Sequence, residues 1–422
     1  MPGTETTKRP EEYNLFDPEV QECPYPAYEA LRDQAPVYKD PITGFYVVSR
    51  YDDIRAILLD KETFVNGARR ANPAGLDERS RKIRDLYETT GWVPGPTLAA
   101  RDDPEHKQMR AMFDRAFRPG RIKEIDPMVE QVSNELFDAF IADGQCDWVK
   151  QFAIPLPLII IGNQMGADAK DIWRIKAWTE AWVQRLGFMQ TDAEALWSTE
   201  MEIEAQHYFQ PIFERLRKEP DGSLISELVN TVIPEWGRPL TDNELHAEMM
   251  ADTFVGGSET STNAIAAGVQ LLIENKHIWE QLKSDPERYL RTFVEEVLRL
   301  ESPVQGLFRT CAKDTELHGV KIPAGAPMNI RYAAANRDER QFECPEEIDL
   351  ERRAPTAHLT FGAGTHHCLG APLARRELYF SFKVLTERVD DLWFAEGKND
   401  FRHHPNFCLR ALRELHIEFA RR

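Results

Sequence analysis

The chain has 422 residues, with 52 Lys and Arg against 70 Asp and Glu, a formal charge of −18. An apolar fraction of 42%, with 27 Pro and 23 Gly, is ordinary for a globular protein, and a chain this long buries a large core without a disulfide or metal staple. The composition excludes disorder and low-complexity architectures, and the acid excess argues against nonspecific binding to nucleic acid or anionic membrane.

In chain order, residues 1–14 are polar and read as a loose N-terminal arm without the apolar stretch of a secretory signal. Residues 43–50 (TGFYVVSR) predict a strand, because aromatic and β-branched residues follow a glycine. Residues 124–143 predict a helix, since Met128, Val132, Leu136 and Phe140 recur every fourth position on one face. The longest apolar run, 154–162, is too short to span a bilayer. Residues 168–218 predict two long amphipathic helices hinged near Gly187, carrying Trp173, Trp178, Trp182 and Trp197, which read as core. A capping box at Thr241–Glu244 opens a helix whose apolar pattern runs to about residue 276, long enough to cross a whole domain. After Pro303 come short strands and turns, and then a last helix near 371–390. No repeat or flexible linker divides the chain, so a single domain over 1–422 is expected, mainly α with small β sheets. The 6 cysteines form no CxxC pair, so no zinc cluster or disulfide framework is signalled and a cytoplasmic location is the default.

Two stretches break local rules. Inside the long helix lies Phe254-Val-Gly-Gly-Ser-Glu-Thr260, whose adjacent glycines cost roughly 1 kcal/mol each against alanine. Thr260 can bond back to the Gly256 carbonyl and open the helix locally. One reading is a kinked, solvated patch. The other is a groove where something flat approaches the backbone at Gly256 and Gly257, next to an acid and an alcohol able to relay protons. The second stretch runs from His358 to Gly370, with Gly362, Gly364 and Gly370 around Cys368 and a helix opening directly after it. A cysteine there gains thiolate character from free backbone N–H groups and the helix dipole. It suits a nucleophile paired with a histidine, or a single-thiolate metal site whose other ligands come from a cofactor such as haem.

Together these residues resemble the cytochrome P-450 superfamily over nearly the whole chain. Phe361-x-x-Gly364-x-His366-x-Cys368-x-Gly370 is similar to its haem-binding loop, Gly256-Gly-Ser-Glu-Thr260 to its oxygen-activation motif, and Glu296-Val-Leu-Arg299 to its ExxR. The resemblance implies a haem b cofactor with Cys368 as axial iron ligand, and O2 as co-substrate. It implies haem contacts from Phe361, Gly362, Gly256 and Gly257, and propionate contacts from His106, Arg110, Arg309, His358 and His366. Glu296 and Arg299 would form a structural pair completed by Arg352 or, failing that, Arg353. Thr260 and Glu259 would be the catalytic, proton-delivering pair. The implied reaction is insertion of one oxygen atom from O2 into a C–H bond of a hydrophobic small molecule (terpenoid, aromatic or steroid-like).

By position in the family, the pocket would draw on Trp92, Val93, Leu98, Trp182, Leu186, Phe188, Met189, Phe254, Val255, Val304, Leu307 and Phe407. Electrons would come from a small iron–sulfur ferredoxin and its NAD(P)H-dependent reductase. Its docking face is expected near Arg115, Arg118, Arg375 and Arg376, which stand in locally basic segments of an acidic chain. A peroxide-driven haem enzyme and a cysteine hydrolase are the alternatives.

Overall fold

The structure, a computed structural model, describes residues 8–67 and 77–422. Helices dominate, and three small sheets sit at the edges. The largest sheet has the order Val37–Lys39, Tyr46–Val48, Pro327–Ile330, Leu307–Cys311, Phe64–Val65. Tyr46–Val48 runs parallel to Pro327–Ile330, and the other pairings are antiparallel. A second sheet places His416–Arg421 between Gln145–Asp147 and Val389–Phe394. The third is the hairpin of Thr315–Leu317 and Val320–Ile322, turned by His318 and Gly319, both at positive φ as a tight two-residue turn requires.

The expected arm is more ordered than its polarity suggests. Pro10–Glu12 forms a short turn of helix with Pro10 buried, and Lys8 lies over the Tyr13 ring, while residues 1–7 fall outside the described set. The Pro119–Asp138 helix buries Val129 and Val132 as its periodicity requires. The 168–218 region forms helices Ile172–Leu186 and Asp192–Lys218, joined through Gly187 and Phe188, the latter at φ +55°. Of the tryptophans read as core, Trp178 is 1% exposed, but Trp173 and Trp197 remain 52% and 42% exposed. The helical stripe here is narrower than the tryptophan count implied, so those two rings fall on the outer side.

The long helix begins at the Thr241 capping box, as expected, and continues unbroken through Asp242–Ala247, Glu248–Glu259 and Thr260–Glu274. Its middle segment is wound as a π-helix, which the sequence reading did not foresee. Two hydroxyls reach back into the ladder there: Ser258 Oγ donates to Phe254 O (2.6 Å) and Thr260 Oγ1 to Gly256 O (2.9 Å). Such back-bonding beside a Gly-Gly pair favours the wider turn. Downstream, Ile265, Val269 and Leu272 are buried, and the Trp148 indole donates to Ile265 O (3.3 Å). The Ala371–Arg388 helix packs against this half so closely that a Cβ on Gly268 would lie 2.3 Å from the Phe382 ring. The main apolar cluster draws side chains from Leu98 to Phe419. Among the described residues no helix is long and apolar enough to cross a membrane.

Candidate active site

The cysteine loop takes its shape from glycine. Gly362 and Gly364 both sit at φ +68°, and a Cβ on Gly364 would lie 2.5 Å from Leu58 O. The Cys368 amide donates to Phe361 O (2.8 Å), closing the turn, and the amides of Gly370 and Ala371 point at the sulfur. Burial pushes the Cys368 thiol up, opposed by those two amides and by Arg110 and Arg375. The residue is nevertheless accessible. The sulfur is thus open to a group bound against the loop. Unaided, this thiol stays protonated; a bound metal cation reverses that balance and holds the thiolate.

Behind the loop lies a buried ionic frame. Glu296 accepts from Arg299 (2.8 and 2.9 Å), from Arg352 (2.8 and 3.2 Å) and from the Asp349 amide (2.9 Å). Burial alone would raise the Glu296 pKa, but Arg299 and Arg352 hold it below the ordinary range. Arg352, not Arg353, therefore completes the pair. Arg299 also donates to the carbonyls of Asn336, Pro345 and Glu347, tying this centre to the meander before the cysteine.

One expected haem contact is corrected. His358 Nε2 bonds Glu295 Oε2 (2.9 Å) and its Nδ1 accepts the Thr360 amide (3.3 Å), so neither nitrogen remains for a propionate. Arg375 makes two bonds to the same Glu295 (2.6 and 3.0 Å), and its guanidinium lies over the Phe361 ring. His358, Glu295 and Arg375 thus brace the loop. Arg376 is likewise committed, with two bonds to Asp126 (2.7 and 2.8 Å). Neither Arg375 nor Arg376 is a free docking cation. Arg115 and Arg118 are exposed, with no ion-pair partner among the described residues.

The other expected cationic groups do converge. The His106 and His366 rings are 4.0 Å apart, centroid to centroid. His106 is 1% exposed, yet neither ring nitrogen has a hydrogen-bond partner. Burial first, then neighbouring His106, Arg309 and Arg110, lower the His366 pKa to about 3. Arg110 donates to His367 O (2.9 Å), and buried Arg309 lies beside the Tyr332 hydroxyl. Asp114 pairs with Arg110 (2.9 Å) and Asp103 lies 3.7 Å from His106, but the Arg309 guanidinium has no ion pair among the described residues and the His106 nitrogens have no hydrogen bond, so the cluster keeps donors for anionic groups. The two propionates of a haem fit it, as the thiol of Cys368 fits the iron.

The central helix supplies the opposite wall. Ser261 lies beside Glu377 on the helix that follows the cysteine, and Gly268 meets Phe382 further along both helices. Followed back toward their N-termini, the two helices lead to the Gly256 segment on one and to the cysteine loop on the other. Gly256 is exposed although it sits mid-helix, and a Cβ there would have 3.8 Å of clearance to Ala251 O. Gly257 instead allows Ile161 to approach within 3.3 Å of such a Cβ. Thr260 Oγ1 is accessible on the Gly256 face. Glu259 points elsewhere: it is buried, accepting from Lys176 Nζ (2.8 and 2.9 Å) and Thr179 Oγ1 (2.6 Å).

The expected pocket residues fall into several separate groups. Leu186, Phe188, Val304 and Phe407 gather with Phe45 and Phe308; Phe407 stacks on Phe16 at 4.1 Å, and Phe188 is 49% exposed. Leu307 packs with the sheet cluster. Trp92, Val93 and Leu98 belong to the loop before His106. Gln206 takes both backbone groups of Trp92 (2.9 and 2.8 Å), and Asn243 donates to Val93 O (2.6 Å). Phe254 packs on Phe209 at 5.2 Å, Val255 is buried, and Trp182 leans on the main core. The sequence reading missed Glu295, Lys176, Thr179, Glu248 and Asp252. Only the last two carried a signal: they precede Gly256 and Thr260 at the same four-residue spacing.

A thiol held by helix-start amides, a cationic cradle and a long helix opened by a Gly-Gly step define a haem-thiolate fold. Comparison with known proteins agrees. The family model Cytochrome P450 matches residues 189–387. The polyketide biosynthesis cytochrome P450 PksS of Bacillus subtilis is 31% identical over 418 residues, covering 96% of this chain and 99% of that protein. The vitamin D(3) 25-hydroxylase of Pseudonocardia autotrophica is 31% identical over 420 residues, 99% of each. The structure of cytochrome P450 CREJ with (4-ethylphenyl) dihydrogen phosphate superposes with a TM-score of 0.87 at 28% identity, covering 97% of this chain and 100% of that one. The chain belongs to the cytochrome P450 family, so it is a monooxygenase that binds haem b and uses O2.

Proposed function

We propose that this enzyme hydroxylates a hydrophobic small molecule, of terpenoid, aromatic or steroid-like type, with electrons from a ferredoxin. The carrying observation is the accessible Cys368 sulfur under two donating amides, on a loop faced by the open Gly256–Thr260 surface. The relative named a vitamin D(3) 25-hydroxylase supports the steroid-like class. Haem, when bound, would supply the activation of O2, and Cys368 would hold its iron through the thiolate.

This chain's residues then do the remaining work. His106, His366, Arg110 and Arg309 orient the cofactor through its propionates, while the frame around Glu296 fixes the loop. Thr260 Oγ1, now donating to Gly256 O, would turn to hold a proton on the Gly256 side of the helix. Glu259 reaches solvent through Lys176, which also pairs with the exposed Glu180 at 3.3 Å. That chain of charges is a proton path from the surface to the residue beside Thr260. The apolar walls exclude water and leave C–H contact as the main binding term.

Arg115 and Arg118 form the accessible part of the docking face for an acidic ferredoxin. The cytoplasm, where such ferredoxins are kept reduced, is the fitting location. A panel of hydrophobic ligands scored by the low-spin to high-spin shift tests the substrate class. Cys368→Ser tests the carrying observation: the red-shifted Soret band of the reduced CO complex is expected to vanish, and its survival would overturn the axial assignment.

A further inference from the structure

We infer that Arg331 and Asn329 form a binding site for one small monovalent anion of the chloride class, beneath the C-terminal loop that carries Phe407. The site goes beyond the haem-thiolate reading and does not depend on it. Asn329 lies on the strand Pro327–Ile330, and Arg331 directly follows that strand. Residues two apart on a strand turn to the same side. The packing agrees: a Cβ on Gly306 would lie 3.1 Å from Asn329 Oδ1 and 3.1 Å from Arg331 Cδ. Both side chains are deeply buried, Asn329 at 0% and Arg331 at 1% exposure.

The protein satisfies neither of them. Arg331 Nη1 donates to Phe407 O (2.7 Å), and the guanidinium lies over the Phe407 ring at 3.8 Å. Its Nε, however, is buried with no hydrogen-bond partner, and the same holds for both Oδ1 and Nδ2 of Asn329. Buried polar atoms are seldom left so, and an unfilled set points to an occupant. Arg331 borders a cavity of about 20 Å³ together with Gln21, Tyr28, Gln305, Phe407 and Arg410. That is room for one water-sized species. The Tyr28 hydroxyl is spent on Gln305 (3.0 Å). Gln21 Oε1 is a further buried acceptor without a partner, so a neutral water is the rival occupant.

Charge decides between the two. Among the described residues, no Asp or Glu lines the cavity and Arg331 has no ion-pair partner. Glu301 is engaged by Arg337 and Arg410, each at 3.2 Å, and Glu22 by His403. A water satisfies Nε but leaves a buried guanidinium without a counter-charge, which is costly. An anion accepts from Nε and cancels that charge. It also accepts from Asn329 Nδ2, since no protein partner fixes which way that amide faces. One cation and a cavity this small set the class: a single-atom, singly charged ion, where phosphate or sulfate is too large. Once bound, the ion holds Arg331 in place and, through it, the backbone of Phe407.

The test starts with crystals of the haem-loaded enzyme soaked in sodium bromide. Anomalous diffraction at the bromine edge is expected to show a peak within hydrogen-bond reach of Arg331 Nε. In solution, chloride replaces gluconate at constant ionic strength, and Tm should rise saturably, by about 1–2 °C. Arg331→Gln should abolish that rise. Asn329→Leu should raise the half-saturating chloride concentration about tenfold, and serves if the first variant does not accumulate. A cavity that holds only water overturns the inference. So does a bromide peak without a saturable Tm response, which is an adventitious ion only, and so does a response unchanged in either variant.

Discussion

Arg352→Met removes one of the two guanidiniums on Glu296, a carboxylate with 0% exposure. The substitution deletes two charge-assisted hydrogen bonds, at 2.8 and 3.2 Å, and leaves Arg299 and the Asp349 amide in place. Breaking one side of a buried pair typically costs about 3–5 kcal/mol. For a chain of 422 residues, an unfolding entropy of about 2.1 cal/mol/K per residue gives roughly 0.9 kcal/mol/K. The expected fall in Tm is therefore about 3–6 °C. The assay is thermal loss of the thiolate Soret signature at fixed protein concentration. Arg352→Lys should recover little, because one ammonium cannot make the paired bonds of a guanidinium. Arg353→Met is the control: Arg353 is exposed and outside the frame, so Tm should stay within about 1 °C. An Arg352→Met protein with unchanged Tm, or an equal loss in Arg353→Met, would refute the assignment of Arg352 to the frame.

Thr260→Ala should keep substrate binding but divert electrons to peroxide, read as peroxide formed per electron pair; unchanged coupling would sink the relay. Charge reversal at Arg115 should slow reduction by a ferredoxin several-fold, with the effect fading at high salt. Arg376→Glu should chiefly lower stability, because it sets a carboxylate against Asp126. A stable Arg376→Glu enzyme with slow, salt-sensitive reduction would contradict that division. Burial raises the Glu244 pKa, but Arg238 and the Thr241 cap outweigh it and bring it to about 2. A depressed carboxylate stabilises fully above its unfolded pKa and is lost as pH falls through the folded one. Glu244→Gln should thus lower stability at pH 7 and flatten its decline from about pH 4.5 towards pH 2, seen in urea melts.

Short-range chemistry was the legible part. The Thr241 capping box, the hinge at Gly187, the Gly256–Thr260 step and the glycines around Cys368 are local patterns, and each lies where its spacing indicated. The Thr260 back-bond to Gly256 O is the same kind of information. Illegible features depend on partners far along the chain. His358 looked like a haem contact until Glu295, 63 residues away, took its Nε2. Arg376 looked free until Asp126, 250 residues away, paired with it. Trp173 and Trp197 show the same limit from the other side, since a count of aromatic residues does not say which flank of a helix meets the core.

That winding also bears on how such an enzyme can diversify. The central helix is anchored at both ends, by the Thr241 cap and by the Gly268–Phe382 contact. Between them the π segment stores slack, because each wide turn holds close to one residue more than an α turn. Loss of a residue there can be absorbed by tightening one turn, with both anchors kept. Side chains upstream of Gly256 would then swing to new bearings while Thr260 and the thiolate loop stay still. The segment works as a tuning length: it lets a lineage exchange what the pocket recognises while its chemistry remains fixed.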